Sequence, residues 1–521
     1  MTLEKPNDRG QDNMSRVHIE FKRVQTFLFA VPRLRAMVGA NTLLGEVLRD
    51  QLPALARKQT SSWTLARLSW AFPALTTDDP LADYDDPATD ARYGIVARDG
   101  GHFEASFTSG ARAFAEAAGA LVRRALPGLR FRISIDDEVV DSDTVGFSKE
   151  LPVLAPCEWA GRGLASVLIK QGTERAEVSL DVSRRHEAAR QAEEGRASDL
   201  ASLLVSTTRA RELPRPQTFQ DLAGDGYLAL IHADGNGVGA SAPPGDAERA
   251  AFFYRNRVLM RRALHAAIEA SCVGVKSAPL VLLMLGGDDI LVVSKAKAAL
   301  PFVVSLCENL VDLQRKNGNP FELTLGVGVV FARPTIPIHR LHETAERLAS
   351  SAKRRFRGFR PQQGRSVVDW AIYTDSALDD IEEVRRRDWL RGSGGTLRIL
   401  SQRPVAVIGQ GLDSLQGLLS AANKLKDAPR SQLRYLVDQL PEGKALSDLA
   451  FTELSPDAHR ALDEVGITRT WSETSEGALR TPLLDLIEVY EISRLGRAGT
   501  TSVGAGFTEE DDGEENSHVK A

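Results

Sequence analysis

VLLMLGGDDILVVS, residues Val281 to Ser294, sets two glycines and two carboxylates between apolar runs. Two β-branched and leucine-rich runs joined by Gly286-Gly287 describe strands meeting in a tight hairpin. Strands so uniformly apolar belong in the interior. Adjacent acids at the tip of a buried hairpin then call for a chemical reason, because structure alone gains nothing from placing Asp288 beside Asp289.

The surrounding pattern supplies the frame. Upstream lies a strand in GDGYLALIHADGNGVGA, and a helix follows over about Ala247 to Ala270. Next come PLVLLML, the GGDD turn and ILVVS. A helix over about Ala296 to Arg315, the strand FELTLGVGVVF and a helix over about Ile338 to Arg355 complete the unit. The order is βαββαβα. In a βαββαβ arrangement the first and third strands are central, antiparallel neighbours, so Asp234 at the end of strand one lies beside Asp288 and Asp289 at the start of strand three. Two carboxylates about 4 Å apart repel by roughly 4 kcal/mol at an effective dielectric near 20. A bound cation relieves that repulsion, and hard oxygen donors favour Mg²⁺ or Mn²⁺ completed by water and phosphate. Asp234, Asp288 and Asp289 are therefore the candidate metal ligands and catalytic acids. The turn around Gly235, Asn236 and Gly237, with Gly239 beyond it, lets backbone N–H groups approach a phosphate. Taken singly, DGNG is an ordinary turn signal and GGDD an ordinary hairpin tip; their meeting at one sheet edge makes the site.

At the end of the last helix, Lys353, Arg354, Arg355, Arg357, Arg360 and Arg365 surround Phe356 and Phe359. A charge run of this kind commonly ends a solvated helix, and Lys353 is placed to reach a triphosphate. His232, two residues before Asp234, shares its sheet face, and packing is its expected role.

A second unit, over about 15–150, repeats the order: SRVHIEFK, a helical stretch, YGIVARDGGHFEASF, AFAEAAGALVRRAL and LRFRISID. Gly100-Gly101 takes the place of Gly286-Gly287, but no paired acids follow. The expected fold class is α+β: two ferredoxin-like βαββαβ palm domains with helical connecting and C-terminal domains. Residues 1–14 read as a flexible lead, 15–150 as the first, degenerate palm, 151–222 as a helical connection, and 223–375 as the second palm. Residues 376–495 read as a helical domain and 496–521 as a disordered acidic tail.

Composition narrows the function. With 521 residues and a formal net charge of -5, the chain carries no global basic field, so contact with nucleic acid must be local. Cys157, Cys272 and Cys307 are far apart and form no zinc-type or disulfide spacing. No apolar run spans a bilayer and the N-terminus lacks a signal-type core, so no membrane partner and a cytoplasmic location are expected.

These residues resemble a known family. The βαββαβ unit with GGDD at its hairpin is similar to the palm of nucleotide cyclases and polymerases, diguanylate cyclases among them. The wider resemblance is to the large, polymerase-like subunit of type III CRISPR effector complexes. It is carried by IEFKRVQTFLFAVPRLRAMVGANTLLGE, YLALIHADGNGVG, LGGDDILVV, and RPVAVIGQGLDSLQGLLSAANKL followed by RSQLRYLVDQL. The resemblance implies a metal-dependent nucleotidyltransferase that converts ATP to cyclic oligoadenylates when target RNA is bound. It would work with the other subunits of a crRNA-guided complex. It also implies that Asp234, Asp288 and Asp289 hold the ions, Gly286 and Gly287 shape the turn, Lys353 contacts phosphate, and the palm around Gly100 and Gly101 helps hold a second nucleotide. Two features of that family are missing. No His-Asp dipeptide occurs, so its nuclease is not expected, and only Cys157 stands near its cysteine zinc site, so no zinc is expected. A non-catalytic scaffold subunit and a GTP-using cyclase remain the alternatives.

Overall fold

The computed structural model describes residues 14–58, 60–142, 155–171, 174–224, 226–318, 323–357, 365–373, 381–393 and 396–495. The expected lead before residue 14, the acidic tail 496–521, and Phe359 and Arg360 of the basic stretch lie outside them.

The first palm contains β1 (Ser15–Lys22), α1 (Leu34–Glu46), β2 (Ile95–Asp99), β3 (His102–Ser109), α2 (Ala111–Ala125) and β4 (Arg130–Ile135), with β5 (Glu138–Ser142) added by a hairpin. Its sheet runs β2-β3-β1-β4-β5, antiparallel throughout, and the short strand Thr64–Leu65 shares the β3 edge with β2. Between the palms lie a hairpin, β6 (Val167–Gln171) and β7 (Glu174–Val178), and two helices, α3 (Leu180–Glu193) and α4 (Leu200–Ser206). The charged helical pattern gave no sign of that hairpin, because its strands are five residues each and the second, ERAEV, is mostly charged.

The second palm has β8 (Leu228–Gly235), α5 (Asp246–Ser271), β9 (Leu280–Gly286), β10 (Asp289–Lys295), α6 (Ala296–Asn317), β11 (Leu325–Ala332), α7 (Ile338–Arg357) and β12 (Val367–Ile372). Its sheet order is β9-β10-β8-β11-β12, with Val405–Ala406 added at the far edge. β8 and β10 are central antiparallel neighbours, as the sequence order requires. Both sheets, and the mixed α+β class, match the expectation.

Alternation along these strands explains their apolar sequences. Ala229, Ile231, Ile290, Val292, Val327 and Val329 face a core shared with α5, α6 and the C-terminal region. Leu228, Leu230, Leu291, Val293 and Val330 face the opposite way, into a core shared with α7 and the first palm. A sheet buried on both faces has no solvent side to carry polar residues. Burial of one leucine side chain is worth about 1.5–3 kcal/mol, so these two faces fix the register strongly.

Beyond the second palm, α8 (Leu415–Lys424), α9 (Arg430–Asp438), α10 (Lys444–Thr452), α11 (Pro456–Asp463) and α12 (Leu483–Arg494) pack largely on the α6 side. A small sheet of Leu390–Ser393, Thr396–Ile399, Ser472–Glu473 and Leu479–Arg480 accompanies them. Strands of two to four residues leave too short an alternation to be read in sequence, so the region had looked wholly helical. Among the described residues no helix is long and apolar enough to cross a membrane. Cys157, Cys272 and Cys307 are buried and unpaired.

Candidate active site

Three strand ends and one helix build the site. β8 carries His232 and Asp234 on its α7 face. The register pairs Ile290 with Ala233 and Leu291 with His232, which sets Asp289 against Asp234 at the end of the ladder. Gly286 pairs with Asp289, so Gly287 and Asp288 are the two central residues of the turn. Gly287 is left-handed, with φ 69°, and its lack of a Cβ makes that conformation inexpensive. The turn carries Asp288 over Gly235, where any Cβ would overlap the Asp288 carboxylate. Close approach of the hairpin to strand β8 thus depends on a glycine in DGNG. Asn236 is buried beneath and donates to Thr324 Oγ1 at 3.0 Å.

Asp234, Asp288 and Asp289 stand at one sheet edge, as expected, but their surroundings differ. Asp234 is bonded to the Lys353 ammonium. Asp289 Oδ1 lies 2.9 Å from His232 Nε2. Asp288 has neither partner: burial, and then the neighbouring Asp234 charge, push its carboxyl up to about 6. His232 is therefore more than packing. Burial opposes its charged form, yet the bond to Asp289 raises it on balance above its ordinary value. Lys353, expected at a phosphate, sits on a carboxylate here. The three acids do not form a closed set of converging donors; among the described residues such a set of three occurs at His232, His342 and Glu346. Asp234 and Asp288 still suit a hard divalent cation. Both are oxygen donors, and the raised Asp288 carboxyl marks a place where positive charge is wanted. Phosphate and water would have to complete the shell.

The first palm repeats this geometry with other residues. Glu20 of β1 pairs with His102 of β3, in the place of Asp234 and Asp289. His18 Nε2 lies 2.9 Å from His102 Nδ1, repeating the bond of His232 to Asp289. Asp99 pairs with His102, so Gly100 and Gly101 are the central turn residues. They correspond to Gly287 and Asp288. The sequence alignment of Gly100-Gly101 with Gly286-Gly287 was one residue out, because the two turns place their first glycine differently. Of the three acids, only Glu20 remains in the first palm.

The two turns face each other. A Cβ on Gly286 would lie 3.5 Å from Gly100 Cα. Between the palms opens a cleft of about 330 Å³, lined by Arg23, Asn41, Arg98 and Gly101 on one side and by Asp288 and Asp289 on the other. Its size falls at the lower end for small-molecule sites. Arg23 is exposed and left-handed, with φ 53°. Arg98 is held by Asp90 at 2.6 Å and by the Arg49 carbonyl at 3.2 Å. Sequence reasoning missed Arg23, Asn41 and Arg98, since nothing local distinguishes them from other polar residues.

Residues 227–358 match the family described as Cas10/Cmr2, second palm domain, over the segment that carries the hairpin resemblance. No curated protein matches the sequence. Among solved structures, the apo Csm1–Csm4 cassette is similar at 13% identity and TM-score 0.47, covering 95% of this chain and 72% of that one. The same cassette with AMPPNP gives 13% identity and TM-score 0.44, covering 94% and 70%. With cA3 the values are 14% and 0.44, covering 92% and 70%.

Proposed function

We propose that the second palm is a metal-dependent nucleotidyltransferase that joins ATP into cyclic oligoadenylates within a type III CRISPR effector complex. The observation that carries this reading is the meeting of Asp234, Asp288 and Asp289 at one sheet edge, on the wall of a cleft closed by the first palm. A palm of the Cas10/Cmr2 kind over residues 227–358 supports the same reading. The 3′-oxygen of one nucleotide forms a bond to the α-phosphorus of the next, the bond to pyrophosphate breaks, and the hydroxyl proton passes to water.

Asp234, Asp288 and Asp289 would hold Mg²⁺ or Mn²⁺. Such ions, when bound, acidify the attacking hydroxyl and offset charge on the leaving pyrophosphate. The chain does the rest. His232 orients Asp289. Gly237 leaves room for phosphate beside the backbone, and Gly235 lets the hairpin acid close over β8. Lys353 stands beside Asp234, within reach of a phosphate that displaces it from the carboxylate. Gly100, Gly101 and Arg23 form the wall against which a second nucleotide rests. Choice of ATP, partner subunits with crRNA, and target RNA as trigger follow from the family resemblance.

One observation favours a second reading, a scaffold subunit. The Lys353 ammonium already neutralises Asp234, and the first palm keeps one acid of three. The two readings separate on radiolabelled ATP or GTP with Mg²⁺ or Mn²⁺, with and without crRNA, partner subunits and target RNA. Catalysis requires oligonucleotide product that disappears in Asp288→Ala/Asp289→Ala. Assembly onto guide RNA with no product under any condition supports the scaffold. Product from GTP alone supports the GTP-using cyclase.

A further inference from the structure

Directly behind Asp289 lies a group of side chains of which nucleotidyl transfer uses only His232, and that only through its bond to Asp289. His232 comes from the central strand β8, and His342 and Glu346 come from α7, which crosses that face of the sheet. His342 and Glu346 are four residues apart, a spacing that stacks two side chains on one helix face. Each of the three offers one donor atom, and these atoms lie within 4.8 Å of one another. The His232 and His342 rings are 5.5 Å apart between centroids, and Phe29 of the first palm closes over His342 at 4.9 Å.

The hydrogen bonding of the two rings points to a missing ligand. His232 is 7% exposed and His342 4% exposed. Both His232 Nδ1 and His342 Nε2 are buried and have no hydrogen-bond partner. A buried imidazole nitrogen left without a partner costs about 1–3 kcal/mol, and two such atoms on neighbouring rings are not expected in a closed core. The other nitrogen of His232 is bonded to Asp289. When that nitrogen carries the proton, Nδ1 is left with its lone pair. A carboxylate that receives the N–H of a histidine whose second nitrogen binds metal is the usual outer shell of such sites.

We infer that His232, His342 and Glu346 form a binding site for a single transition-metal ion of the zinc class, seated between the sheet and α7 behind Asp289. Two imidazoles and a carboxylate are the donor set that borderline divalent ions take, and hard Mg²⁺ is poorly served by them. The site would tie strand, helix and the Asp289 carboxylate together. In the first palm His18 makes the matching bond to His102, but β4 is followed by strand β5, and among the described residues no such set of three donors occurs there. The expectation of no zinc rested on cysteine spacing, and this site uses none. The inference holds whether or not the palm is catalytic.

The test is metal binding to the full-length chain, prepared without a polyhistidine tag and stripped with chelator. Co²⁺ is added and its visible absorption followed, with metal content measured after gel filtration. The expected result is one tightly held ion per chain with a spectrum of nitrogen and oxygen ligation, displaced by Zn²⁺ but not by Mg²⁺. Zn²⁺ should also raise the melting temperature, saturating at one equivalent. Glu346→Gln, at a half-buried position that tolerates the change, should weaken Co²⁺ binding at least tenfold. Asp288→Asn should leave it unchanged. No stoichiometric Co²⁺ or Zn²⁺, equal affinity in Glu346→Gln, or binding lost only in Asp288→Asn would each overturn the assignment; the last would put the ion at the hairpin.

Discussion

Asp288 occupies a position that works against its own charge. Burial and Asp234 raise its carboxyl to about 6, against an ordinary value of 3.8. Between those values the folded chain binds more protons than the unfolded chain, so stability falls as pH rises through that window and stays low above it. The penalty reaches at most about 3 kcal/mol, by 1.36 kcal/mol per pH unit. Asp288→Asn, melted in EDTA, should therefore be more stable than the parent at pH 8, and the gain should vanish near pH 4. A gain that is absent at pH 8, or equal at both, would show that Asp288 is not strained by its neighbours. The proposed function gives such a residue a purpose: the same unmet negative charge is what a cation would answer. Asp289 and Asp234 differ only in having found counterparts within the chain, His232 and Lys353.

At the level of elements, α7 does more than cover the sheet. His342, Glu346 and Lys353 lie along one face of it, each meeting a group from β8 or β10, so the helix gathers both the hairpin acids and the inferred metal ligands. Its closeness to the sheet is set by β11. A Cβ at Gly328 would collide with the Ala345 carbonyl, and one at Gly326 with the Lys353 side chain. Helix and strand pack backbone to backbone here, which only glycine allows. Gly328→Ala should push α7 outward and cost about 1–3 kcal/mol, the usual range for overpacking. Urea unfolding reads that cost directly. If the cost is borne by displacing α7, the same variant also loses Co²⁺ affinity; an unchanged midpoint would mean the helix has slack that the geometry denies.

At the level of the whole molecule, an ionic cluster fastens the two palms. Asp79 and Asp85 of the first palm meet Arg261 of α5 at 3.0 and 2.7 Å, and Arg257 reaches Asp99 at 2.8 Å. Burial alone would raise the Asp85 carboxyl, but Arg257, Arg261 and Arg49 hold it well below the usual carboxylate range. Breaking a buried pair strands the remaining charge. Asp85→Ala should cost about 3 kcal/mol, the lower end for such losses because Arg261 keeps Asp79. A denaturation midpoint unmoved by that change would show the palms to be held by apolar contact alone. Asp99 also lines the cleft, so the cluster that fastens the palms sets the distance between their two turns.

The sequence by itself determined the secondary elements of both palms, their order and the hairpin that presents Asp288. Period-two and period-3.6 apolar patterns and turn glycines are local signals, and local signals suffice for elements. It also determined that Asp234 would stand beside the hairpin acids, because βαββαβ order leaves the first and third strands one arrangement. The tertiary structure alone decided which acid has a partner, that Gly100-Gly101 answers to Gly287-Asp288, and which arginines wall the cleft. It alone brought His232 to His342 and Glu346. Those facts depend on strand register and on how closely helices dock, and both are set by packing between residues 57 or more positions apart, as from His232 to Asp289. No pattern within a single segment can carry that information.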